Sequence, residues 1–162
     1  MITVQFDDES VLASLQRLVD SLADPTPAFR DIGEYLVDST KRRFAAGKAP
    51  DGSAWAPNRP STLAGKPDSR PLIGESKRLS SEIHYVADAA GVQVGSSLIY
   101  AATQQFGADK GAFGSFSVVR TRQEVPIPWG DIPARPFLGI SEDDRAAILD
   151  IVQEHLQGAV GA

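Results

Sequence analysis

The chain has 162 residues, 42% of them hydrophobic and 23% charged, with a formal net charge of -5 and no cysteine. That length supports a single domain with its own core, and that composition excludes wholesale disorder. Disulfides, thiolate metal ligands and a cysteine nucleophile are excluded outright, and the acidic balance argues against strong binding of nucleic acid through phosphate neutralisation.

Residues 2–6, ITVQF, alternate and are β-rich, so a short strand is expected before a cap at Asp7 or Asp8. The N-terminus lacks the basic and apolar regions of a signal peptide, and no apolar run reaches the ~18–20 residues of a membrane span. Synthesis in a cytoplasm, without membrane partners, is the expectation.

Val11, Leu12, Leu15, Leu18, Val19 and Leu22 recur at the 3.6-residue period and predict a helix with one apolar face. Asp24-Pro25 breaks it. Thr26 is the expected N-cap of a second helix, with Pro27 at its first position and a stripe of Phe29, Ile32, Gly33, Leu36, Val37, Thr40 and Phe44. Gly47 is its natural stop, and residues 7–46 are expected to form an antiparallel helical hairpin. Lys41-Arg42-Arg43 falls in the last helical turn, where cations complement the helix dipole.

Residues 47–75 follow as an extended arm that begins with a Pro50-Asp51-Gly52 turn and carries Trp55 among prolines. Within 76–107, EIHYVAD and GVQVGS read as a β-hairpin with Ile83, Tyr85 and Ala87 on one face and Val92 and Val94 opposite them. Leu98, Ile99, Ala102 and Phe106 suggest a short helix ending at Gly107. Residues 108–133 are either a loop or an extended hairpin around SFSVVRTR. The last segment, 134–158, carries a C-terminal helix: Ser141 and Asp144 resemble a capping box, Ile148, Ile151, Val152 and Leu156 form a stripe, and Gly158 is the expected end. The predicted class is α+β, with an N-terminal helical hairpin, a small antiparallel β-sheet, extended Pro/Gly-rich arms and the C-terminal helix.

Chemistry-bearing patterns are sparse. His84 and His155 sit in no ligand spacing, so no metal or cofactor is expected. Glu75 and Glu82, or Asp7, Asp8 and Glu9, supply carboxylates for a hydrolase only by residue type, and neither a Gly-x-Ser-x-Gly nor a phosphate loop occurs. Arg120 and Arg122 interleave with Phe116 in a way that suits single-stranded nucleic acid, but two arginines neutralise too few phosphates for much affinity.

Four short motifs in order carry more information: FAAGKAPDGSAWAPNRPSTL at 44–63, LIGESKRLSSEI at 72–83, VGSSLIYAATQQFG at 95–107 and IPARPFLGIS at 132–141. Together they resemble the phage virion morphogenesis proteins of Mu-like phages and prophages, a tail-completion family, over roughly residues 28–157. The first pattern maps to Phe44, Pro50, Asp51, Gly52, Trp55, Pro57, Thr62 and Leu63. The third maps to Tyr100, Ala101, Gln105, Phe106 and Gly107, with Gln104 where His is common in the family. The last is complete in Ile132, Pro133, Arg135, Pro136, Phe137, Leu138 and Gly139, whereas the second agrees only in part.

The resemblance implies a non-enzymatic virion component made in the host cytoplasm, acting late in assembly at the head-proximal end of the tail or the head–tail junction. It implies a homo-oligomer, a six-fold ring, in contact with other phage tail or head-connector proteins. The interface candidates are Trp55, Pro57, Tyr100, Gln105, Phe106, Trp129, Arg135 and Phe137. Trp and Arg are favoured anchors at such surfaces, and Pro-rich segments lose less entropy on ordering. For Phe137, packing within the chain is the favoured expectation, because it directly precedes the last helix. A virion-associated peptidoglycan hydrolase and a small DNA-binding packaging factor are the rival readings.

Overall fold

The long second helix organises the protein. In the computed structural model, which describes residues 9–118, 123–126 and 131–161, α1 spans Glu9–Ala23 and α2 spans Thr26–Ala46. The expected strand at 2–6 and its acidic cap lie outside the described residues. Ile32, Gly33, Leu36, Val37, Thr40 and Phe44 are all buried along α2, as their helical spacing demands. Gly47 closes the helix in the left-handed conformation, at φ 67°, and its N–H bonds the Arg43 carbonyl.

Two expectations about the first helices are corrected. Thr26 is already helical and the N-cap is Pro25, one residue earlier and without a side-chain cap, while the carboxylate of Asp24 accepts the Thr26 N–H at 3.1 Å. In addition, α1 packs chiefly on the C-terminal helix α6, Glu142–Gly161, rather than folding back on α2 as a paired hairpin. Its Leu12, Leu15 and Val19 are each more than half exposed.

The strands β1, Ile83–Asp88, and β2, Gly91–Ser96, form an antiparallel hairpin with Tyr85 opposite Val94 and Ala87 opposite Val92. Period-2 alternation places Ile83, Tyr85 and Ala87 inward, while Val86 faces out. Both strands lie against α2. A second, separate antiparallel pair, β3 at Ser115–Val118 and β4 at Gln123–Pro126, lies within the 108–133 stretch. The arm contains one short helical turn, α3 at Pro60–Leu63; α4, Arg78–Ser81, follows the arm, and α5, Ala101–Phe106, precedes Gly107.

The capping box at α6 is present: Ser141 Oγ accepts the Asp144 N–H at 3.1 Å, and the Asp144 carboxylate accepts the Ser141 N–H at 2.8 Å. Gly158 does not end the helix, which continues to Gly161, because an isolated glycine with open space around it costs a helix only about 1 kcal/mol. Among the described residues no helix is long and apolar enough to cross a membrane.

The core joins α2 to the two arms. Phe44 meets Trp55 edge-on at 5.5 Å and Phe137 at 5.2 Å, and around them pack Val37, Ile73, Leu79, Ile83 and Ala101. Aromatic pairs of this geometry add about 0.5–1.5 kcal/mol each beyond the area they bury.

Candidate assembly interface

The Arg135–Gly139 segment is a strap with no regular structure of its own, so its backbone groups need partners from elsewhere. Three side chains, two of them from the motifs, and one helix backbone supply them. The Gln104 carbonyl accepts the Arg135 N–H at 2.9 Å, and Trp55 Nε1 donates to the Pro136 carbonyl at 2.7 Å. Gln105 reads two residues at once: its Oε1 accepts the N–H of Phe137 at 2.9 Å and of Leu138 at 3.0 Å, and its Nε2 donates to the Leu138 carbonyl at 2.9 Å. Arg43 donates to the carbonyls of Phe137 at 3.1 Å and Gly139 at 2.9 Å.

Arg135 in turn fixes the arm. Its guanidinium donates to the Ala56 carbonyl at 2.7 Å and the Pro57 carbonyl at 3.0 Å, and burial pushes its pKa down from the usual value. Arg43 also forms a buried ion pair with Asp144, whose carboxylate accepts from Ser39 Oγ at 2.5 Å. Burial alone would raise the Asp144 carboxyl, but the Ser39 and Ser141 hydrogen bonds and the Arg43 charge outweigh it and hold the group below its ordinary value. Arg43 is therefore far more than a helix-dipole cation, and its sequence neighbourhood gave no sign of this.

These contacts place four of the interface candidates within the chain, Phe137 as favoured from its position before the last helix. Trp55 and Phe137 are buried within the chain, Phe137 completely, and Arg135 and Gln105 use their polar groups on backbone of the same chain. They build the subunit and present little to a neighbour, because an aromatic with no exposed face has nothing left to bury. Pro57, Tyr100 and Phe106 remain at the surface, Phe106 at 78% exposure, and Trp129 lies outside the described residues. Ile99, which the motif reading passed over, is 96% exposed beside Tyr100. Its signal was an apolar residue next to a turn, at a helical spacing that begins only at Ala101.

The carboxylates considered for hydrolysis are not arranged as a pair at work: Glu82 accepts from Arg78 at 2.8 Å, and Glu75 is exposed. Arg120 and Arg122 lie outside the described residues. Among the described residues no cluster of His, Asp and Glu could hold a metal ion. Segments from four separate sequence motifs meet in this scaffold.

Comparison with known proteins accounts for the motifs. The phage virion morphogenesis family matches residues 6–157. The chain belongs to that family. The Mu-like prophage FluMu G protein 2 of Haemophilus influenzae is 27% identical over 158 residues, covering 97% of each chain. No solved structure matches. Membership in the phage virion morphogenesis family gives the protein a role in building the phage particle.

Proposed function

We propose that this phage morphogenesis protein is a structural component that completes the tail or joins it to the head, and that it works as a six-fold homo-oligomeric ring rather than as an enzyme. The observation that carries this reading is the apolar surface around α5. Ile99, Tyr100 and Phe113 line one shallow depression of about 330 Å³, and Phe106 stands exposed at the end of the same helix. Single exposed apolar residues are ordinary, but a group of large ones around one depression marks a contact surface. Its partners are further copies of the chain and other tail or head-connector proteins.

A ring closes when each copy offers one surface to the next through a fixed rotation, which requires a subunit that does not deform. The strap contacts meet that requirement, since each motif is held by another far away in sequence. Light scattering and negative-stain images of the purified protein, together with images of particles from a lysogen lacking it, test the reading. Rings, and particles with unfinished or unjoined tails, are expected. A chain that stays monomeric at high concentration and in the particle would sink the ring, and normal particles without it would sink the completion role.

A further inference from the structure

Helix α1 turns a cation inward and its apolar stripe outward. Arg17 lines a groove of about 760 Å³ between α1, the start of α2 and the end of α6, with mostly apolar walls that include Phe29, Ile32, Val152 and Leu156. An arginine lying over apolar surface ordinarily keeps its polar head in water. Arg17 does so only in part: Nη2 donates to Ser14 Oγ of the same helix at 3.1 Å, but Nε is buried and has no hydrogen-bond partner among the described residues. A buried donor left unpaired keeps its desolvation penalty without a compensating bond.

Leu12, Leu15 and Val19 are the counterpart. Each is more than half exposed, and at 3.6 residues per turn they lie about 140–160° around α1 from Arg17. The stripe faces solvent and the guanidinium faces the groove, which is the reverse of what transfer from water favours. Two features leave α1 free to turn. It meets α2 through the short non-helical link Asp24-Pro25, and it packs chiefly on α6, while the aromatic core and the strap are assembled without it. The groove itself is held open by its own walls, because α2 packs on α6 and His155 Nε2 lies 2.7 Å from Asp31 Oδ2 between them.

We propose that α1 is a two-position helix: rolled by roughly half a turn about its own axis, it seats Leu12, Leu15 and Val19 in the groove against Phe29, Ile32, Val152 and Leu156 and releases Arg17 into water. The position described above keeps the present contact with α6, and the rolled one exchanges it for burial of the stripe and hydration of the guanidinium. The groove is thus a sheath. By turning one helix the chain displays or withdraws an apolar stripe, and the core that gives the subunit its shape is unchanged. This device is independent of the ring reading.

The chain has no cysteine, so introduced thiols report the position of α1 in the full protein. Leu15 and Val152 are both exposed, so Leu15→Cys with Val152→Cys should keep the circular dichroism of the folded parent. Under mild oxidation in dilute solution this chain should form an intrachain disulfide, which requires residue 15 to enter the groove. Arg17→Met places an apolar side chain in the groove and should hold the unrolled position. Added to the two-thiol chain, it should slow the disulfide at least threefold; added to Leu15→Cys alone, it should speed alkylation of the thiol by iodoacetamide at least threefold. By itself it should raise the melting temperature. Absence of the intrachain disulfide, or alkylation at one rate with and without Arg17→Met, would overturn the two-position helix. A disulfide formed only between copies would overturn it too and assign the stripe to a second copy. A lower melting temperature for Arg17→Met would show that the guanidinium is well placed where it is, and the proposal would fail on that result as well.

Discussion

Arg43 in α2 and Asp144 in the first turn of α6 form a buried ion pair across 101 residues of sequence. Asp144 also closes the capping box with Ser141, and Arg43 also holds the strap through the Phe137 and Gly139 carbonyls. One contact therefore couples helix start, strap and central helix. Buried charges cost several kcal/mol each to desolvate, so such a pair is maintained only where further hydrogen bonds satisfy both ends.

Removing one partner should be far worse than removing both. Asp144→Ala is expected to cost about 3–5 kcal/mol in urea unfolding, because the Arg43 charge stays buried without its counter-ion. Arg43→Met combined with Asp144→Leu should recover part of that loss. A double variant no more stable than Asp144→Ala would show that the capping and strap bonds, rather than the charge pairing, dominate.

Acid should weaken the same place. The folded-state pKa of Asp144 lies below its ordinary 3.8. Its contribution is therefore complete above the ordinary value and is lost as pH falls through the depressed one. Melting temperature should change little from about pH 7 to 5 and drop below about pH 4. Asp144→Asn should lower the neutral-pH melting temperature and flatten part of the acid drop; an unchanged acid slope would refute the assignment to this carboxyl.

Gln105 makes three bonds to the strap that no isostere reproduces. In Gln105→Glu the carboxylate still accepts the Phe137 and Leu138 N–H groups, but it loses the donor and sets an acceptor against the Leu138 carbonyl. A loss of about 1–3 kcal/mol is expected at neutral pH. Titrating the variant toward pH 4, where the glutamic acid regains a proton to donate, should narrow its deficit relative to the parent measured at the same pH.

Two glycine-to-alanine changes should have opposite signs. A Cβ at Gly33 would stand 2.4 Å from the Tyr85 ring, so Gly33→Ala must push α2 away from β1 and should lower stability by about 1–3 kcal/mol. Gly158 has open space around it within α6, and Gly158→Ala should raise stability by roughly 0.5–1 kcal/mol. Thermal melts of the two variants, run side by side, check both.

Periodicity by itself determined much of this protein. The α2 stripe, the Ile83–Tyr85–Ala87 face, the Gly47 stop and the Ser141–Asp144 capping box were all legible because each depends on neighbours within a few residues. The motif order also identified the family, since it is a property of sequence alone.

Which side chains are enclosed within the chain was decided only by the tertiary structure. Trp55, Arg135 and Phe137 have the residue types of interface anchors, yet three segments far apart in the chain meet around them and enclose them. The apolar face of α1 has the pattern of a core helix, yet much of it remains uncovered because α1 packs on α6 instead of α2. Arg43 stands in a run of basic residues that reads as a surface feature until α6 brings Asp144 to it. Burial is a property of what arrives from elsewhere in the fold, and local sequence encodes the face a residue shares but not what comes to cover that face.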